Sequence, residues 1–207
     1  MIAVHTLTRG DRGPWLDECV RSVPQGVRYA IVPCGNFVDD RWRGMTASDW
    51  TGFVDDDDRL VGDPIAACAA ALQDTGAGVA FTWDRTVAED GKPLRDNTYP
   101  VAYEDIPNHP YAVRQFSLVR AACLDSEPRR LADAIGPHVL DFALKARVAL
   151  RHGAVQVPMI GYERRRHAGG MSRLGFREQW AAAQPTIQAW FAASGRRGPV
   201  PVWRGLR

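Results

Sequence analysis

Four consecutive carboxylates, Asp55 to Asp58, follow an apolar run in the stretch WTGFVDDDDRLVGDP, Trp50 to Pro64. The apolar residues before them read as a buried strand. In an extended strand alternate side chains share a face, so Asp55 and Asp57 are expected to point one way and Asp56 and Asp58 the other. Carboxylates held close together and partly desolvated repel unless a cation compensates. Mg²⁺ and Mn²⁺ take oxygen ligands, and such sites typically combine one or two carboxylates with substrate phosphates. The run therefore suits a divalent cation that carries a diphosphate. The plainer alternative is a solvated loop whose acids favour the dipole of a following helix, which accounts well for Asp63.

The elements that must position these acids alternate in type. IAVHTL (Ile2 to Leu7) reads as a strand, and GPWLDECVRSV as a helix with Pro14 near its start. VRYAIVPC (Val27 to Cys34) reads as a second strand, apolar on both faces like a central parallel strand, and TGFV as a third. GDPIAACAAALQDTG carries the best-marked helix, with Asp63 as cap, Pro64 in the first turn and Gly76 as terminator. GVAFTW (Gly78 to Trp83) is another strand, followed by a polar hairpin or loop. Beyond it come a helical stretch broken near Gly136-Pro137, a strand in VQVPMIGYERRRH, and a last helix that Pro185 should kink or split. Strand-helix-strand alternation predicts an α/β sheet with crossovers on its faces, where ligands gather at the carboxyl ends of the strands. The acidic run sits at such an end.

With 207 residues, 45% of them hydrophobic, the chain can bury one sizeable core. Its net charge of +2 does not by itself indicate a nucleic-acid or membrane partner. Basic residues nevertheless collect in ERRRH (Glu163 to His167) and in the tail GRRGPVPVWRGLR. Arg196, Arg197, Arg204 and Arg207, with Trp203 among them, keep a DNA contact open as an option, set against a disordered basic terminus. The four cysteines stand far apart with no zinc spacing, which favours reduced thiols. No segment reaches the roughly 20 apolar residues that span a bilayer, so a cytoplasmic protein without a transmembrane segment is expected.

The order of these features resembles the GT-A fold of nucleotide-sugar-dependent glycosyltransferases, in particular the large inverting family 2, which includes cellulose- and chitin-synthase-like domains. HTLTRGDRGPWLDECVRSVPQ is similar to that family's first strand, turn and helix, and FVDDDDRL to its LDxDD motif, with Asp55, Asp57 and Asp58 as the three acids. VLDFALKARVALRHGAVQVP follows the layout of the acceptor-side ED motif, with Asp141 at the Asp and Leu140 in place of the Glu. RRRHAGGMS is similar to the element that closes the family's site. Two departures stand out. The stretch from Cys34 to Trp50 is short and lacks the family's long helix, and Gly35-Asn36, followed by Asp39 and Asp40, stands where a second nucleotide-binding acid is often found.

The resemblance implies a mixed, mainly parallel α/β sheet flanked by helices, with a helical C-terminal part. It spans residues 1–175, with 1–90 as the nucleotide-sugar half, 91–175 as the acceptor half, and 176–207 as a C-terminal helix and basic tail. It further implies metal-dependent, inverting transfer of a sugar from a nucleotide donor, with UDP the expected nucleotide, to a hydroxyl of a glycan, lipid, protein or hydroxymethylated DNA base. Asp141 is then the candidate base, and Asp57, Asp55 and His167 the candidate ligands of Mn²⁺ or Mg²⁺. The candidate nucleotide-sugar contacts are Thr8, Arg9, Asp55, Asp56, Trp83 and Arg166, with Arg165 as an alternative to Arg166. Trp83 is the tryptophan expected to line the cleft. Asp56 occupies the variable slot of the motif, where substitution is expected to be tolerated. The competing reading is a GT-A-like module that binds a nucleotide or polyanion without chemistry, motivated by Leu140 and the shortened middle.

Overall fold

The structure, a computed structural model, describes residues 1–8, 10, 13–46, 48–168 and 176–205. Its elements in chain order are β1 (Ile2–Thr8), α1 (Pro14–Ser22), β2 (Arg28–Pro33), α2 (Phe37–Met45), β3 (Trp50–Phe53), β4 (Arg59–Leu60) and α3 (Pro64–Thr75). Then follow β5 (Val79–Val87), β6 (Pro93–Asn97), β7 (Ser117–Arg120), α4 (Glu127–Ile135), α5 (Leu140–His152), β8 (Ala154–Arg165) and α6 (Phe176–Ser194).

The strands form one sheet in the order β2-β1-β3-β7-β5-β8-β4, with β6 beside β5. β1 is parallel to β2 and β3, and β5 is parallel to β8, whereas β7 runs antiparallel between β3 and β5. The sheet is thus mixed, as the α/β reading anticipated. Side-chain alternation divides the core between its faces. Val79 and Phe81 pack on one side with α5 and α6, through Phe142, Leu144 and Ile187. Ala80 packs on the other side with α1 and α3, through Cys19, Ile65 and Leu72.

Helix α3 forms as its sequence dictates. The Asp63 carboxylate accepts from the Ala66 N–H at 3.0 Å, Pro64 occupies the first turn, and Gly76 terminates the helix at φ 69°. Other readings are corrected. β2 is an edge strand paired only with β1 and is largely exposed, Ile31 by 44%, so its apolar run marks a half-covered edge rather than a central strand. The short segment after Cys34 holds α2, capped by the Asn36 side chain. α6 runs through Pro185 unbroken, because Pro185 and Ala181, whose carbonyl Pro185 leaves without its helical donor, both face solvent while Ala183 and Ile187 anchor the helix. The polar stretch after Trp83 is the β5–β6 hairpin.

The basic tail packs back onto the fold. Gln156 N–H donates to the Pro201 carbonyl at 2.8 Å, Trp203 N–H donates to the Gln156 carbonyl at 2.8 Å, and the Trp203 indole donates to Asp74 at 2.9 Å. Arg196 donates to the Leu150 carbonyl at the end of α5 at 2.9 Å and lies over the Tyr103 ring, while Arg197 covers Phe191 at 4.3 Å. Arg196 and Arg197 are thus engaged by the fold, Arg204 is exposed, and Arg207 lies outside the described residues. Among the described residues, no helix is long and apolar enough to cross a membrane.

Candidate active site

The acidic run does not continue β3 as an extended strand. The Asp58 N–H donates to the Asp55 carbonyl at 3.1 Å, closing a turn over Asp56 and Asp57. The expected sharing of faces therefore fails, and each acid meets its own partner. Asp55 Oδ1 accepts from Arg41 Nη2 at 3.1 Å. Asp57 Oδ2 lies 2.7 Å from His167 Nε2. Asp58 is buried and accepts from the Tyr162 hydroxyl at 2.8 Å and from the Arg165 N–H at 2.6 Å. The Tyr162 oxygen in turn accepts from the Asp55 N–H at 3.2 Å, so Asp58 ties the turn to β8. Asp56 stands at the wall of the same cleft.

Burial pushes the Asp55 carboxyl up to about 6, Asp141 and Asp57 add to the rise, and Arg41 opposes it. Asp58 is raised well above the usual carboxylate range, by burial first and then by Asp57 and Asp55. The turn is clasped from outside by Arg165. Its guanidinium donates to the Asp57 carbonyl at 3.0 Å, to the Glu89 carbonyl at 2.7 Å and to the Glu18 carboxylate at 2.6 Å. His167 is buried beneath Trp15, with ring centroids 4.7 Å apart.

Across the turn lies α5. Asp141, in its first helical turn, has Oδ1 3.1 Å from Arg41 Nε, an ion pair without the alignment of a hydrogen bond. Lys145, one turn on, is buried, donates to Gln115 Oε1 at 2.5 Å and is pulled down to about 8 by burial. Arg41 is itself buried on α2, with its guanidinium 3.9 Å from the Phe53 ring centroid and Nη1 3.4 Å from His5 Nε2. Burial, with Arg41 adding to it, drives His5 down to about 3, so the imidazole is neutral and its Nε2 accepts from a group that can only donate. Arg41, Asp55 to Asp58, Asp141, Lys145 and Arg165 line one cleft of ≈ 480 Å³, which Phe37, Tyr111 and Arg164 also border.

The expected residues therefore divide. Asp55, Asp56, Asp57 and Asp141 come together around the cleft, with His167 held against Asp57. Thr8 is buried at the end of β1, accepts from the Gly10 N–H at 3.0 Å and does not line the cleft, where Leu7 stands instead. Trp83 is half-buried on β5 away from the cleft, and Arg166 is exposed beyond the end of β8, its N–H on the Val87 carbonyl; Arg164 and Arg165 line the cleft in its place. Arg9 lies outside the described residues. The acids near the end of β2 are committed elsewhere. Asp40 caps the Gly35 and Asn36 N–H groups, and Asp39 pairs with Arg129 at 2.6 Å. Sequence reasoning missed Arg41 and Lys145, whose only signal is their place among acids or apolar residues on amphipathic helices.

Among the described residues, no three His, Cys, Asp or Glu side chains converge as a metal centre. The fit to a divalent cation rests on a smaller donor set. Asp57 Oδ2 and His167 Nε2 face each other at 2.7 Å; the carboxylate suits Mg²⁺ or Mn²⁺ when phosphate oxygens and water supply further ligands, and the imidazole is the less typical donor for these ions. Asp55 Oδ1 is turned to Arg41, away from that pair.

No family model matches the chain, and no curated protein is similar to it in sequence. Solved structures do resemble it. S. aureus TarS 1-349 in complex with UDP-GlcNAc superposes with a TM-score of 0.59 at 14% identity, covering 93% of this chain and 72% of that one. The complex of the same TarS fragment with UDP gives 0.58 at 13% identity, covering 92% and 70%. Full TarS gives 0.56 at 14% identity, with 93% of this chain matched to 43% of that one. Strand order, the placement of the cleft and these superpositions agree: the chain has the GT-A fold that its motif order anticipated.

Proposed function

We propose that the protein is a glycosyltransferase that moves a sugar from a nucleoside diphosphate, with UDP the favoured nucleotide, to an acceptor hydroxyl with inversion. The observation that carries this reading is the cleft itself, whose lining includes both Asp57, held against His167, and the Asp141 carboxylate of α5. The solved TarS complexes with UDP-GlcNAc and UDP share its fold and support the choice of donor class.

Asp57 and His167 would hold Mn²⁺ or Mg²⁺, which when bound supplies Lewis-acid stabilisation of the departing diphosphate. Arg164, whose guanidinium borders the cleft beside Tyr111, neutralises charge on the phosphate oxygens. Asp141 takes the proton from the acceptor hydroxyl as its oxygen bonds to the anomeric carbon and the bond from that carbon to the phosphate oxygen breaks. The nucleoside diphosphate leaves with the electron pair, and the proton remains on Asp141. Asp55, half-buried and paired with Arg41, would contact the nucleotide.

Release of UDP from UDP-glucose and UDP-N-acetylglucosamine in the presence of Mn²⁺ tests this. Asp57→Ala and Asp141→Asn should each slow release about 100-fold or more, whereas Asp56→Ala stays close to the wild-type rate. Undiminished activity in both of the first two variants overturns the assignment. A second reading is a binding module, and it is favoured by Leu140, fully buried where the resemblance leads one to expect an acid. Calorimetry that shows UDP bound tightly, with no release from either donor, decides for it.

A further inference from the structure

Arg41 is spent entirely inside the cleft's own charge network. Its three nitrogens address three elements: Nη2 meets Asp55 at 3.1 Å after β3, Nε meets Asp141 Oδ1 at 3.1 Å on α5, and Nη1 meets His5 at 3.4 Å on β1. The guanidinium is fixed in plane by the Phe53 ring at 3.9 Å and the Phe37 ring at 5.2 Å. Helix α2 packs on β1 at glycine distance, since a Cβ at Gly44 would come within 2.7 Å of the His5 ring. Lys145 shares the neighbourhood but sends its Nζ to Gln115. A planar fork that reaches separate carboxylates at fixed angles is available to arginine and not to lysine.

The contact with Asp141 is of a particular kind. Oδ1 is buried and close to the cation, yet no hydrogen bond consumes it. Such an oxygen is held in place electrostatically from the buried side, while the Asp141 side chain as a whole keeps 22% of its surface exposed and lines the cleft. Resting on the reading of Asp141 as the base, we infer that Arg41 is the positioning residue that sets Asp141 in one rigid frame with the donor-side Asp55. The base then stands at a fixed offset from the bound donor, and Arg41 acts on the reaction only through the two carboxylates it locates. Only 2% of the Arg41 side chain is exposed, behind these carboxylates.

A double-mutant cycle on UDP release from UDP-glucose and UDP-N-acetylglucosamine, with Mn²⁺, tests the inference. Arg41→Lys keeps the charge but loses the fork, and should slow release about 100-fold, the scale of a misplaced catalytic group. In the Asp141→Asn background, the same substitution should cost at most the part it exerts through Asp55, because the base it locates no longer works, so the combined loss should fall well short of the product of the two. Losses that multiply, or Arg41→Lys at the wild-type rate, overturn the inference. If the wild-type protein releases UDP from neither donor, the glycosyl-transfer reading fails separately. The same four proteins are then compared by thermal unfolding. Non-additive midpoints retain the Arg41–Asp141 frame, and additive ones overturn it.

Discussion

Lys145 is a residue whose charge the fold constrains in a pH range open to unfolding experiments. It is 2% exposed, and burial pulls it from 10.5 down to about 8 against the attraction of Asp141 and Asp55. Between those values the unfolded chain keeps a proton that the folded protein has released, so this group's contribution to stability rises with pH across the window. The gap of 10.5 − 8 units, at about 1.36 kcal/mol each, bounds the gain at about 3 kcal/mol. Unfolding free energies of the wild type relative to Lys145→Met should therefore shift in favour of the wild type by up to that amount from pH 8 to pH 10.5, and a flat difference would refute the assignment. The acids of the site were legible in the sequence because a run of like charge at a strand end is visible as a pattern. Arg41 and Lys145 were not, since nothing in FVDDRWRGM or DFALKARV marks a cation whose partners lie on other elements. Within the run, the meeting of Asp57 with His167 follows the candidate ligand set, whereas the service of Asp58 to the turn, through Tyr162 and Arg165, was not legible.

At the scale of elements, local signals were reliable wherever a cap or a terminator stated them. α3 begins and ends where Asp63, Pro64 and Gly76 put it, and α5 stops at Gly153. Exposure was harder to read than element type. The apolar AIVP of β2 is an edge, and Pro185 sits harmlessly in α6, because both depend on what lies alongside rather than on the segment. α2 was the costliest omission, since it carries Arg41. Its docking makes a sharp prediction. Gly44→Ala places a Cβ 2.7 Å from the buried His5 ring, so α2 must shift outward. Overpacking of this kind costs about 1–3 kcal/mol, which urea unfolding will read, and turnover should fall with it because Arg41 moves as well. A variant of unchanged stability would show that the ring yields.

On the whole-molecule scale, the order of strands in the sheet departs from their order in the chain. β3 and β5 are not neighbours; β7, at residues 117–120, lies between them and pairs antiparallel with both. The alternation of strands and helices announced the fold class, but a four-residue strand inside PYAVRQFSLVRAA offered no periodicity long enough to be seen. Its position governs how the chain can assemble. Through the first 116 residues, the growing polypeptide holds two strands with unsatisfied edges and no partner to join them, and closure waits on contacts of long sequence separation. Folding should accordingly be slow, and the unjoined edges are where aggregation begins. Residues 1–90 expressed alone, although they carry the whole acidic run, should give a circular-dichroism spectrum without a cooperative thermal transition. The four aspartates, early in the chain, acquire their geometry only after a strand made some sixty residues later has locked the sheet around them.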